Sequence, residues 1–144
     1  MFTLEPNRLR QLTIGLGLGT IAFGVGPVLA PRWFAEFFGI ALPKGGAGES
    51  IIRSVGARDA ISGVGILSAT IHGGRVGPWL LARLLADATD TVWVALAIRG
   101  GARSPRLRFL GAVAVGATIL DLALYLGHRS AAPSGLRRTA EGGG

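Results

Sequence analysis

Four predominantly apolar stretches, from about Leu9 to Ala30, Ser50 to Ile71, Pro78 to Ile98 and Leu107 to Gly127, leave this chain few ways to fold. Each is close to the ~20 helical residues needed to cross a hydrocarbon core. Proline and glycine mark where they stop: Pro27 and Pro31, then "GGAGES", "HGGRVGP", "RGGARSPR" and "GHRSAAPSG". Pro78 and Pro105 stand at or just before helix starts, where a missing N–H leaves no bond unmade. No segment alternates with a two-residue period, so nothing reads as strand. A soluble four-helix bundle would need a broad polar face along each helix, and "LTIGLGLGTIAFGVGPVLA" contains no charge at all. The expected fold is therefore all-α: an integral membrane four-helix bundle, one domain over residues 1–128, with a short interfacial helix after the first span. The tail, 129–144, is Gly, Ala, Ser and Arg and is expected to be disordered.

Composition agrees. Charged residues make up 16% of the chain, against about a quarter in soluble domains. The net charge of +7 comes almost wholly from arginine, with Lys44 the single lysine. These arginines flank the apolar runs rather than lining one face, which points to lipid headgroups and away from nucleic acid. The absence of cysteine excludes disulfides, thiolate metal sites and thiol catalysis. The two histidines, His72 and His128, fall at helix ends, so no metal and no cofactor is expected. A cleaved signal peptide does not fit: the first run exceeds the ~7–15 residues of a hydrophobic signal core, and Pro31 would follow the cut. "GLGLGT" resembles a phosphate loop only in its glycines, since no strand precedes it.

The expected location is the cell membrane, multi-pass. Arg8, Arg10, Arg75, Arg129, Arg137 and Arg138 fall on one side; Arg32, Lys44, Arg99, Arg103, Arg106 and Arg108 fall on the other. The positive-inside count ties, and the weight usually carried by the first helix places both termini in the cytoplasm.

Between the first two runs, Trp33, Phe34, Phe37 and Phe38 recur at helical spacing. They suit either a short helix lying in the interface, aromatic face down, or a loop packed over the mouth of the bundle. In the first run Gly15, Gly19, Ala22 and Gly26 form a face of small residues, the pattern that lets membrane helices approach closely. That face serves either packing within the bundle or a homodimer. Gly56 and Gly63 flank Asp59 in the second run, and Gly111, Ala114, Thr118, Asp121 and Tyr125 share a rhythm in the fourth.

The third run, "ARLLADATDTVWVALAI", carries three charges at helical spacing: Arg83, Asp87 and Asp90. At a helix centre each costs roughly 2.5–3.5 kcal/mol, whereas an aliphatic side chain returns about 0.3–0.6 kcal/mol. The eight aliphatic residues between Pro78 and Ile98 do not offset three charges, so that face must meet partners inside the bundle. Arg53, Arg58 and Asp59 come from the second run and Asp121 from the fourth. At ~1.5 Å of rise per residue, Arg58, Asp59 and Asp90 fall at one depth, and Arg83 and Asp121 at a shallower one. The expected pairs are Arg58–Asp90 and Arg83–Asp121, with Asp59 and Asp87 between them. Arg53 is expected near the opposite mouth, snorkelling or pairing with Glu49. Three arginines against four aspartates leave one carboxylate in formal excess, a candidate proton carrier.

"RSVGARDAISGVGILSA", with the "AD..D" setting of the following helix, resembles the DUF4267 group of four-helix membrane proteins. The resemblance covers about residues 9–127 and implies the four-helix membrane fold without naming a reaction. It draws attention to Gly56, Arg58, Asp59 and Asp87 or Asp90. Three functional readings stand. The charged network binds an apolar small molecule or carries protons, through Arg58, Asp59, Arg83, Asp87, Asp90, Asp121 and Tyr125. Alternatively it only holds helices in register in an accessory subunit. Or the protein is a membrane-embedded isomerase or cyclase, with Asp59 or Asp90 as acid/base and Arg58 stabilising developing negative charge.

Overall fold

A computed structural model describes residues 5–43 and 46–131, and these form five helices and no strand. Helix α1 spans Pro6–Leu29, α2 Pro31–Phe37, α3 Gly46–Ile71, α4 Gly77–Arg99 and α5 Pro105–Ala131. Pro6, Pro31 and Pro105 open their helices, where the fixed φ of proline suits the first turn. Gly73 and Gly101, at φ 72° and 100°, make the sharp turns after α3 and α4. Helix α5 runs four residues past the expected end at Gly127. Its last turn takes in His128 and Arg129, so residues 129–131 are helix; the remainder of the expected tail, 132–144, lies outside the described residues, as does Lys44.

The helices are arranged as two tight pairs. Helices α1 and α3 touch backbone to backbone. A Cβ on Gly24 would lie 2.5 Å from the Gly56 carbonyl oxygen, and one on Gly56 would lie 2.5 Å from that of Gly24. One α-turn pair further along, a Cβ on Gly63 would lie 2.7 Å from the Gly17 oxygen. The α1 stripe that does this is Leu9, Thr13, Gly17, Thr20, Gly24 and Pro27. It is not the expected one: positions 15 and 19 have no atom within 4 Å of where a Cβ would stand, and position 26 meets only Phe34 at 3.7 Å. The second pair, α4 and α5, does use the expected residues, with Gly111 against Val94 and Thr118 Oγ1 3.3 Å from Thr91 Oγ1.

The pairs join at one end through Leu9, Ile66, Val76, Leu80 and Leu124, against which Leu16, Ala69 and Tyr125 pack. Thr13 Oγ1 and His128 Nε2, 2.9 Å apart, tie α1 to α5 there. At the other end α2 divides its aromatic residues. Phe34 and Phe38 fold inward on Phe23, at ring separations of 5.4 and 6.2 Å, while Trp33 and Phe37 stack on each other and face outward. The four aromatics thus form two faces rather than one, because i and i+4 positions pair along a helix while neighbours diverge.

Burial is inverted relative to a soluble protein. Thr13, Thr20, Asp59, Arg83, Asp87 and Asp121 are buried, while Leu18, Leu29, Ile51, Ile61, Val92, Trp93, Ile119 and Leu126 are exposed. Two helices, α1 and α5, are long and apolar enough to cross a membrane. Helices α3 and α4 have the length but carry the charges.

Candidate functional site

The charges sit where the two pairs face each other. On α3, Arg58 follows Gly56, whose missing side chain brings α1 against the back of the helix and leaves Arg58 directed at α4. Its guanidinium reaches Asp90 with Nη2 donating to Oδ2 at 2.7 Å and Nη1 to Oδ1 at 3.4 Å. The expected pair forms. Nε and Nη2 also donate to Asp59 Oδ1, at 3.1 and 3.0 Å.

Arg83 occupies the centre and is 7% exposed. Its one side-chain hydrogen bond runs along its own helix, from Nη2 to Asp87 Oδ2 at 3.0 Å. Nη1 stands 3.3 Å from Asp59 Oδ1, and Nε stands 3.7 Å from Asp121 Oδ2. The expected Arg83–Asp121 pair is therefore an ion contact, without a hydrogen bond. An i,i+4 carboxylate on the same helix reaches the guanidinium at lower conformational cost than one projecting from a neighbour. Asp121 is fully buried, stands beside the Asp87 carboxyl, and receives a hydrogen bond on neither oxygen; Arg83 Nε and Nη1 likewise lack acceptors.

Arg53 takes no part. Its Nη1 donates to the Val28 carbonyl oxygen at 3.0 Å, satisfying the last turn of α1, while Glu49 pairs with Arg32. The charge balance changes accordingly. Two guanidiniums, Arg58 and Arg83, face four carboxylates, Asp59, Asp87, Asp90 and Asp121, so two carboxylates rather than one are in formal excess.

Beside this network lies a crevice of 610 Å³. Asp59, Arg83, Asp87 and Asp90 form its polar floor. Gly15, Leu16, Gly19 and Phe23 of α1 make one wall, Val113, Ala114, Ala117 and Leu120 of α5 the other, and Phe34 and Ile40 cover one end. Leu12, Phe23, Val113 and Leu120 are exposed, so the crevice opens sideways between α1 and α5. Those two helices meet near the Thr13–His128 contact and the packing of Leu9 on Gly127. The face of small residues expected to pack a helix thus lines an open space. A hollow of 730 Å³ bounded by Gly65, Ser68, Arg75 and Trp79 touches none of the network.

Of the candidate residues, Asp59, Arg83, Asp87 and Asp90 reach the crevice. Arg58 holds Asp90 and Asp59, and Asp121 stands behind Arg83. Tyr125 is not brought to the network; it packs on the core, with Arg129 5.8 Å from its ring centroid. Among the described residues no group of His, Cys, Asp or Glu is arranged to hold a metal ion. Sequence reasoning passed over Gln11 and Thr20, which line the crevice, and the Thr13–His128 tie. The signal was available: Thr13, Gly17, Thr20 and Gly24 are a second run of small residues at helical spacing.

Arg58, Asp59, Arg83, Asp87, Asp90 and Asp121 all fall within residues 17–126, which match the family described as "Domain of unknown function (DUF4267)". No curated protein and no solved structure matches the chain. With the matched segment covering most of its length and the whole charged network, the chain belongs to the DUF4267 family.

Proposed function

We propose that this is a multi-pass integral membrane protein with four spans, α1, α3, α4 and α5, whose charged crevice binds a lipid-soluble small molecule by its polar group. The inverted burial supports the membrane reading: aliphatic and aromatic side chains face outward, and the charges of α3 and α4 find partners within the chain. Intramembrane ionisable residues mark a substrate or ion path by default. In this reading Trp33 and Phe37 lie at the bilayer interface, where amphipathic aromatic faces settle.

One observation carries the binding reading: an apolar-walled space opens sideways between α1 and α5 and ends on carboxylates and a guanidinium. A network needed only to hold helices in register requires no such space. Ligand sites are typically apolar pockets with a few convergent polar groups, and lateral access between α1 and α5 suits a molecule dissolved in lipid. Membrane-embedded acid/base catalysis on the same molecule is the second reading, favoured by Asp59 and Asp90 both reaching the crevice.

Two measurements test this. Alkaline carbonate should leave the protein in the membrane pellet; its release would end the membrane reading. Purified protein should then be extracted with organic solvent and the extract analysed by mass spectrometry, wild type beside Gly19→Leu. The substitution fills the crevice from a position with nothing within 4 Å. A molecule recovered from the wild type and depleted in the variant supports the site. Equal recovery from both removes it. The Gly15/Gly19/Ala22/Gly26 face was also the one available for a homodimer, and the mass of the two proteins in detergent separates that role from ligand binding.

A further inference from the structure

Resting on the reading of the crevice as a small-molecule site, we propose that its occupant is a lipid-soluble organic cation, a positive centre within an apolar envelope. The argument begins with charge. Arg58 is engaged by Asp90 and Asp59, and Arg83 by Asp87, Asp59 and Asp121. The remaining arginine of α3, Arg53, is turned to the Val28 carbonyl. Among the described residues the network therefore holds two carboxylates more than guanidiniums, in a setting where uncompensated charge is costly.

The network is also open rather than closed on itself. Arg83, more than nine-tenths buried, leaves Nε and Nη1 without an acceptor, and fully buried Asp121 leaves both oxygens without a donor. Arg83 lines the crevice, as do Asp59, Asp87 and Asp90. Its own positive charge does not favour an anion there, because Asp87 meets it at 3.0 Å and Asp59 and Asp121 stand close behind. Three carboxylates and one guanidinium line the floor, so its formal charge is negative.

The walls fit the same class of molecule. Gly15 and Gly19 leave the space in front of them unfilled, which makes room for bulk next to the carboxylates. Phe23 and Phe34 present aromatic rings on the same lining, and aromatic faces attract cations most when water is absent. The mouth is bounded by Leu12, Val113 and Leu120, side chains that suit a lipid-soluble cation better than a hydrophilic one.

The test compares two probes of nearly the same shape and opposite charge, tetraphenylphosphonium and tetraphenylborate, in equilibrium binding to the full chain in detergent. Wild type should bind the phosphonium saturably and on the order of tenfold more tightly than the borate. Gly19→Leu should abolish that binding and Asp87→Asn should weaken it. Gly116→Leu, on α5 outside the crevice and also with nothing within 4 Å, should leave it unchanged. If Gly19→Leu melts abnormally, Gly15→Leu takes its place, since that position is equally open. Borate binding as tightly as the phosphonium overturns the proposal, and so does phosphonium binding that neither glycine variant affects. An absence of saturable binding by either probe overturns it as well. In each of these cases the solvent extract decides the underlying reading separately: a neutral or anionic molecule depleted in Gly19→Leu keeps the crevice as a site and discards only the cation.

Discussion

Arg58 crosses from α3 to α4 to grip both oxygens of Asp90, and with the same guanidinium it holds Asp59 on its own helix. That double hold makes the pair asymmetric. Asp90 has Arg58 as its partner, whereas Arg58 has two.

Charge exchange at this pair should therefore be only partly reversible. Arg58→Asp and Asp90→Arg should each lower the stability of the detergent-solubilised protein by about 2 kcal/mol. That is below the ~3–5 kcal/mol typical of breaking a fully buried pair, because the two side chains are 38% and 35% exposed. The double exchange should recover the link between α3 and α4 but leave Asp59 facing a second carboxylate on its own helix. Thermal unfolding of the four proteins checks this. Full recovery in the double variant would mean that the Arg58–Asp59 bonds contribute nothing.

How far the sequence foretold these contacts depends on what each residue had to choose between. Arg58 and Asp90 were legible because a charge at mid-helix must find a partner at its own depth, and depth follows from counting residues. Arg53 was not, since its acceptor is the Val28 backbone carbonyl, and every residue carries one of those. Asp121 was placed near Arg83 correctly, but the i,i+4 carboxylate Asp87 took the hydrogen bond. The small-residue faces of α1 divided in the same way. Two stripes at helical spacing were present, one through Gly15 and Gly19 and one through Gly17 and Gly24. Only the position of the matching Gly56 and Gly63 on α3 decides which of them packs.

The two stripes should differ sharply on substitution. Gly24→Ala places a Cβ 2.5 Å from the Gly56 oxygen and 2.6 Å from the Ala60 nitrogen. Backbone atoms cannot yield as a side chain can, so α1 and α3 must separate, at a cost of about 1–3 kcal/mol. Gly15→Ala meets nothing within 4 Å and should be neutral or stabilising by up to ~1 kcal/mol through helix propensity. Melting temperatures of the two variants give the comparison. Equal losses would mean that the Gly15 face also packs against something, a second copy being the first candidate.

Arg83 and Asp121 should be just as unequal, although they touch. Arg83→Met removes the cation that, among the described residues, faces Asp87 and Asp121 and should destabilise by about 3–5 kcal/mol, the cost of orphaning buried charge. Asp121→Asn keeps the shape, replaces a carboxyl that accepts no hydrogen bond, and should change stability by less than ~1 kcal/mol. Chemical or thermal unfolding in detergent distinguishes the two. An Asp121→Asn variant as damaged as Arg83→Met would show that the 3.7 Å ion contact holds α5 to α4.

The end at which α1 meets α5 gives the last prediction. The Thr13 hydroxyl donates to the Leu9 carbonyl oxygen at 2.8 Å and accepts from His128 Nε2–H at 2.9 Å. Thr13→Val keeps the volume and removes both bonds. The helix ladder does not depend on the Leu9 bond, so the loss should come from His128, a net cost of about 1 kcal/mol. Because Leu9 still packs on Gly127 and Leu124 stays in the core, α1 and α5 should loosen without separating. Hydrogen–deuterium exchange should report this as faster exchange in the last turn of α5, Gly127 to Ala131, with α3 unchanged. Faster exchange reaching Arg58 and Asp59 would mean instead that the clasp supports the whole network, and that the two helical pairs move as one.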